Sequence, residues 1–230
     1  MKMLNKETIS KNFKEVQFRI AQAKKSIGAE RTNVDLIVVS KTRTVEEIST
    51  LLEQGHKNFG ENKVQEAETK WPQLKSKFPF AKLHLIGPLQ SNKVKRAVSL
   101  FDVIETIDRE KIAERVSKEI NSQRRELQCY IQLNTGAEPQ KAGIHPLQAD
   151  AFIKMCRNDL SLSVSGLMCI PPFELDPSPH FSLLSEIAER NQIPNRSMGM
   201  SGDYELAIKL GSTGVRIGTS IFGKRKYSSL

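Results

Sequence analysis

Eight short apolar runs recur along the chain, near residues 34–39, 57–60, 82–86, 101–105, 128–134, 162–168, 195–198 and 214–217, with helical periodicity between them. This alternation predicts parallel strands joined by crossover helices, because parallel neighbours cannot be linked by a tight turn. Apolar residues three and four apart mark the helices, as in Val45, Ile48, Leu51 and Leu52, and in Ile112, Val116 and Ile120. Eight such units within 230 residues favour a TIM (β/α)8 barrel over a doubly wound open sheet. An open dinucleotide-binding sheet would carry Gly-x-Gly-x-x-Gly after its first strand, where Ser40-Lys-Thr-Arg43 stands instead. A further amphipathic helix over 5–27, with Phe13, Val16, Ile20, Ala23 and Ile27 on one face, precedes the first strand. No Pro-, Gly- or Ser-rich linker and no internal repeat divides the chain, so residues 1–230 read as one domain. The segment containing Pro171-Pro172 and Asp176-Pro-Ser-Pro179 reads as one long loop between a strand and its helix.

In such a barrel the chemistry sits at the carboxyl ends of the strands. Ile37-Val-Val-Ser-Lys-Thr-Arg43 carries Lys41 out of a β-branched run, and Thr44-Val-Glu-Glu47 reads as a capping box that starts the next helix. A lysine emerging from a buried strand is poorly hydrated, which favours its neutral, nucleophilic form and suits Schiff-base chemistry. The same residues also fit a lysine that merely rims a core strand. Far downstream, Met198-Gly-Met-Ser-Gly-Asp203 precedes a helical stretch, so Ser201 and Gly202 either face an anion or cap that helix. Arg216 interrupts the last apolar strand, and Gly218 and Thr219 follow it in a second donor-rich turn. The loops after strands seven and eight bind phosphate in many barrels, although Arg216 also suits a buried salt bridge to a local acid.

The net charge of +9 invites an anionic partner. Its cations are interleaved with acids, as in Arg109-Glu-Lys-Ile-Ala-Glu-Arg115, apart from short runs such as Lys224-Arg-Lys226. With a single Trp and no RNA-binding motif, this points to solvated helix faces rather than nucleic acid, and a phosphate ester stays compatible. Cys129, Cys156 and Cys169 form no Cys-x-x-Cys pair and read as reduced, packed thiols. The four histidines show no ligand spacing, so no metal is indicated. Residues 1–16 lack an apolar signal core and no stretch is long enough for a membrane span, so the expected location is cytoplasmic.

Five segments, in order, carry a resemblance: Val39-Ser-Lys-Thr42, Phe59-Gly-Glu-Asn-Lys-Val-Gln-Glu66, His84-Leu-Ile-Gly-Pro-Leu-Gln-Ser-Asn-Lys93, Gly199-Met-Ser-Gly-Asp203 and Arg216-Ile-Gly-Thr-Ser-Ile-Phe-Gly223. Together they resemble the pyridoxal phosphate homeostasis proteins (the YggS/PROSC family), single-domain relatives of the alanine racemase N-terminal barrel. The resemblance implies that Lys41 holds pyridoxal 5′-phosphate as a Schiff base and that Ser201, Gly202, Gly218 and Thr219 cradle its phosphate. It further implies that Arg216 faces the pyridine nitrogen and that Asn62 and Met200 lie near the cofactor. His84, Gln90, Asn92 and Lys93 belong to a family motif whose role the residues alone do not reveal; His84 equally suits a hydrogen-bonded histidine at a strand start. The implied function is cofactor binding in vitamin B6 homeostasis without turnover, with PLP-dependent apoenzymes as recipients. The alternative is a PLP-dependent amino-acid racemase. Alanine racemases resembling this barrel carry a further β-domain with an opposing tyrosine base. Here Leu230 follows soon after the eighth unit begins, so one of two bases is expected to be missing.

Overall fold

The computed structural model describes residues 5–30 and 33–224. Its eight strands are β1 (Asp35–Val39), β2 (Asn58–Glu61), β3 (Lys82–Leu85), β4 (Val103–Ile107), β5 (Gln128–Leu133), β6 (Val164–Cys169), β7 (Asn195–Ser197) and β8 (Gly214–Ile217). They pair in parallel, in chain order, into a closed barrel. Closure comes from β1 against β8, in register from Asp35 with Gly214 to Val38 with Ile217. Helix α1 (Lys6–Lys25) precedes β1. The strands are then followed by α2 (Val45–Leu52), α3 (Val64–Lys77), α4 (Val94–Leu100), α5 (Glu110–Gln123), α6 (Ala149–Lys154), α7 (Ser178–Arg190), α8 (Tyr204–Lys209) and α9 (Thr219–Phe222).

Period-two alternation along each strand splits the core into two layers. Leu36, Val38, Phe59, Leu83, Leu85, Ile104, Ile131, Val215 and Ile217 join the helices in one continuous apolar cluster. Positions between them line the interior. Glu105 on β4 contacts Ser197 on β7, strands that are not neighbours in the sheet, so this contact crosses the barrel. Gly166 shows how tightly the lumen is filled: a Cβ there would lie 2.5 Å from the ring of Tyr130, its partner in the β5–β6 register.

Several predicted boundaries shift. The fourth strand begins at Val103 because buried Phe101 ends α4, its N–H donating to the Ala97 carbonyl. The sixth begins at Val164, since the Leu162 N–H is taken by the Cys156 carbonyl. Pro179 lies in the first turn of α7, where a missing N–H costs no helical bond, so the long loop ends earlier than predicted. In α1 the buried face is Ile9, Phe13, Val16, Ile20 and Ala23, whereas Ile27 lies past the helix end and is 44% exposed. Asn5 caps this helix by accepting from the Thr8 N–H at 2.8 Å. The Thr44–Glu47 capping box is present as predicted.

The three cysteines are free and buried, and burial pushes each thiol up to about 12, far from a reactive thiolate at neutral pH. Among the described residues no helix is long and apolar enough to cross a membrane. Arg225 and Lys226 of the terminal basic run lie outside the described residues.

Candidate functional site

Lys41 leaves the carboxyl end of β1 half-buried, and the backbone on both sides of it is fixed. The Ser40 N–H donates to the Gly60 carbonyl at 3.0 Å, its hydroxyl to Glu61 Oε1 at 2.7 Å, and its carbonyl accepts from Lys70 Nζ at 3.1 Å. On the other side Thr42 adopts a φ of +64°, and its N–H donates to Glu66 Oε1 at 2.5 Å. Lys70 on α3 contacts Glu61 and Glu66 at 2.8 Å each, and the Trp71 indole N–H donates to Glu61 at 3.2 Å. Burial pushes the Glu61 carboxyl up, against the opposing pull of the Lys70 charge and the hydrogen bonds from Lys70, Ser40 and Trp71. The roles of Glu61, Glu66 and Lys70 were not anticipated from sequence; the four-residue spacing of Glu66 and Lys70 is the one signal that could have shown part of the cluster.

The two donor-rich turns meet beside this lysine. After β7, Gly199 has a φ of +94°, and a Cβ there would fall 2.6 Å from the Ala207 Cβ, so the chain turns tightly onto α8 only with glycine. Asp203 occupies the cap position of α8, and its carboxylate accepts from the Met200 N–H at 2.6 Å. Ser201 is therefore not the helix cap; its hydroxyl accepts from the Ser220 N–H at 3.4 Å, tying this turn to the one after β8. Gly218 approaches β1, a Cβ there meeting Val39 at 3.2 Å, so both turns share one end of the barrel with Lys41. Gly202 and Thr219 are exposed, and a Cβ on Gly202 would meet no atom within 4 Å. Hydroxyls and backbone N–H groups opening onto free space beside an arginine strand form a donor set that fits a phosphate ester.

Arg216 is buried in the lumen. Its guanidinium donates to Ser197 Oγ at 2.6 Å and to the Cys169 carbonyl at 2.8 Å. Ser197 donates in turn to Glu105 Oε2 at 2.6 Å, and Glu105 Oε1 lies 2.7 Å from His84 Nδ1. The acid compensating Arg216 is thus reached through a hydroxyl rather than by direct pairing. Burial alone would raise the Glu105 carboxyl, but His84, Arg216 and the Ser197 hydrogen bond together hold it below the usual carboxylate range. His84 lies inside β3 rather than at its start, with Nε2 buried and without a hydrogen-bond partner. No local pattern in the sequence marks Glu105 and Ser197 as partners, because they meet only across the barrel.

Most of the remaining predicted residues divide between two clefts, while Asn92 is exposed in the turn before α4 and lines neither. Met200, Ser201 and Gly202 border one of about 830 Å³ with Ile170, Phe173 and Lys141. Asn62, Gln90 and Lys93 come together with Lys63 and Gln65 in another of about 540 Å³. Lys41 and Arg216 line neither of these two clefts.

The family model for the alanine racemase N-terminal domain matches residues 12–226. The pyridoxal phosphate homeostasis protein of Vibrio cholerae is 40% identical, over 96% of this chain and 98% of the relative. Among solved structures, an unknown protein from Bifidobacterium adolescentis superposes with a TM-score of 0.90 at 29% identity, covering 96% of this chain and 98% of that one. PipY of Synechococcus elongatus PCC7942, with PLP bound, superposes with a TM-score of 0.76 at 32% identity, covering 89% of this chain and 100% of that one.

Proposed function

Because the chain belongs to the pyridoxal phosphate homeostasis protein family, within the proteins that carry an alanine racemase N-terminal domain, we propose that it binds pyridoxal 5′-phosphate and serves vitamin B6 homeostasis. One juxtaposition carries the reading: Lys41 at the end of β1, the Ser201–Gly202 and Gly218–Thr219 turns against it, and Arg216 on the strand that pairs with β1. Lys41 would hold the cofactor through a Schiff-base linkage, and Ser201, Gly202, Gly218 and Thr219 would hold its phosphate. Arg216 would face the ring nitrogen, with Asn62 and Met200 nearby. When bound, the cofactor supplies an aldehyde for condensation with an amine and an electron-poor ring. Arg216 cannot give up its charge, so it disfavours a proton on a ring nitrogen that it faces and weakens the ring as an electron sink. Delivery to PLP-dependent apoenzymes and a cytoplasmic location belong to the same proposal; three buried free cysteines suit a reducing compartment.

The phosphate turns give the direct test. Substituting Ser201 or Thr219 by alanine removes one charge-assisted hydrogen bond, worth about 1.5–3 kcal/mol, or roughly ten- to hundredfold in affinity for PLP. Unphosphorylated pyridoxal should bind the variants as it binds the wild type. Equal losses for both ligands, measured by fluorescence titration, would refute the phosphate assignment.

The competing reading, an amino-acid racemase, needs a second acid or base opposite Lys41. Tyr130 is buried in the lumen, its phenol pushed up by burial first and by Glu105 and Asp35 next. Tyr204 is also buried and pushed up, by burial first and then by Glu205. Neither supplies a phenolate at neutral pH, and Tyr227 lies outside the described residues. A positioned acid or base contributes typically about 10²–10⁴-fold, so we expect no appreciable inversion or α-deuterium uptake when L-amino acids are incubated with loaded protein in heavy water. Robust exchange that disappears in Lys41→Ala would favour the racemase.

A further inference from the structure

Thr42 stands out in the backbone. At a φ of +64° it occupies the left-handed region, which β-branched residues avoid, and it does so immediately after Lys41. Such a conformation persists only where the surroundings impose it. Here they are one charged cluster. Glu66 Oε1 accepts the Thr42 N–H at 2.5 Å and also lies 2.8 Å from Lys70 Nζ. The same ammonium donates to the Ser40 carbonyl at 3.1 Å and contacts Glu61 at 2.8 Å, while Glu61 accepts the Ser40 hydroxyl at 2.7 Å. Groups from β2 and α3 therefore grip the chain on both sides of a single residue. Lys70 is buried, and a buried ammonium is costly unless its partners are fixed. It makes three contacts, and two of them, to the Ser40 carbonyl and to Glu66, bear directly on the flanks of Lys41.

We propose that Glu66 and Lys70 are positioning residues: they force the left-handed turn at Thr42 and so aim the Lys41 amine at the mouth of the barrel. This rests on the reading of Lys41 as the cofactor's anchor and names the groups that set its direction. A cluster serving only the fold would tie α3 to β2 as well, but it would not require a threonine in a glycine conformation. It would also not require Glu66 as the acceptor for that threonine's N–H.

The test separates aim from stability. In apo protein, trace acetylation with acetic anhydride followed by peptide mass spectrometry gives the reactivity of Lys41 relative to Lys63. In loaded protein, borohydride trapping gives the PLP fixed on Lys41, and thermal melts monitor folding. Glu66→Ala should change the Lys41:Lys63 ratio and lower trapped PLP about tenfold, the loss of roughly one charge-assisted hydrogen bond. Glu66→Gln should lose distinctly less than Glu66→Ala, because its amide oxygen still accepts the Thr42 N–H although the charge that also pairs with Lys70 is gone. Glycine adopts the left-handed turn freely, so Glu66→Ala should lose distinctly less in a Thr42→Gly background. Equal behaviour of Ala and Gln, or equal loss in both backgrounds, overturns the proposal. Should Glu66→Ala not fold, exchange of the Thr42 amide in the wild type decides: marked protection at this exposed residue supports the clamp, and free exchange overturns it. If wild-type Lys41 traps no PLP, the anchor reading fails, while the acetylation ratio and the amide exchange still judge the clamp.

Discussion

Lys41→Ala should leave no pyridoxyl group fixed to the protein by borohydride, whereas the wild type is expected to be yellow and to carry the group on Lys41. Reduction adds hydride to the carbon of the C=N bond and a solvent proton to the nitrogen, so the adduct marks the lysine that was linked. Other lysines compete in principle. Lys63 and Lys93 line the 540 Å³ cleft, and Lys141 borders the cleft at Ser201. Among the described lysines only Lys41 follows a barrel strand against the Gly218 turn with the residue before it held by buried partners. The variant keeps both phosphate turns and Arg216, so reversible, non-covalent binding should survive at reduced affinity. Mass spectrometry that finds the reduced group mainly on Lys63, Lys93 or Lys141 would overturn the anchor assignment.

The second large effect concerns stability. Glu105 is fully buried and is the anion nearest in the hydrogen-bond chain to Arg216. Glu105→Gln removes that charge and leaves a buried guanidinium without compensation, a change that typically costs about 3–5 kcal/mol. This is a large part of an ordinary domain's total stability of roughly 5–15 kcal/mol. The denaturant midpoint should fall accordingly, with little change in slope. The sign of the pH dependence follows from the lowered carboxyl. Between its folded value and the unfolded one near 4.3, the unfolded chain binds the extra proton, so stability rises with pH. The contribution is fully present above the unfolded value and is lost as pH falls through the folded value. Wild type should therefore lose stability on acidification over a window in which Glu105→Gln changes less. An unchanged midpoint together with an unchanged acid limb would show that the lumen charge is balanced elsewhere.

Both predictions draw on residues that differ in how far sequence exposes them. Lys41, Ser201, Arg216 and Thr219 sit in local patterns at strand ends, and the strands themselves are short apolar runs, so topology and these positions could be read in one dimension. Phe101 misled because a buried aromatic before a strand looks like the strand, although it ends a helix. Glu105 and Ser197 could not be read, since their contact joins non-adjacent strands across a lumen whose existence depends on closure. Lys70 resembles any solvent-facing lysine of an amphipathic helix until α3 is laid against the end of β1. Charges inside a barrel are set by which strands face each other, and spacing along the chain carries no trace of that.

The seam between β1 and β8 has a consequence for biosynthesis. Lys41 lies just past one strand of the seam and Arg216 within the other, and the turns proposed to hold phosphate follow β7 and β8. Asn12 in α1 also waits for the far end, donating to the Ile221 carbonyl at 2.9 Å. A nascent chain on the ribosome displays Lys41 long before the groups that would complete its surroundings have been translated. A pairing this distant in sequence bears its loop-closure cost before it is made, so it forms late. The site as proposed can therefore be complete only once β8 has been made and has closed on β1.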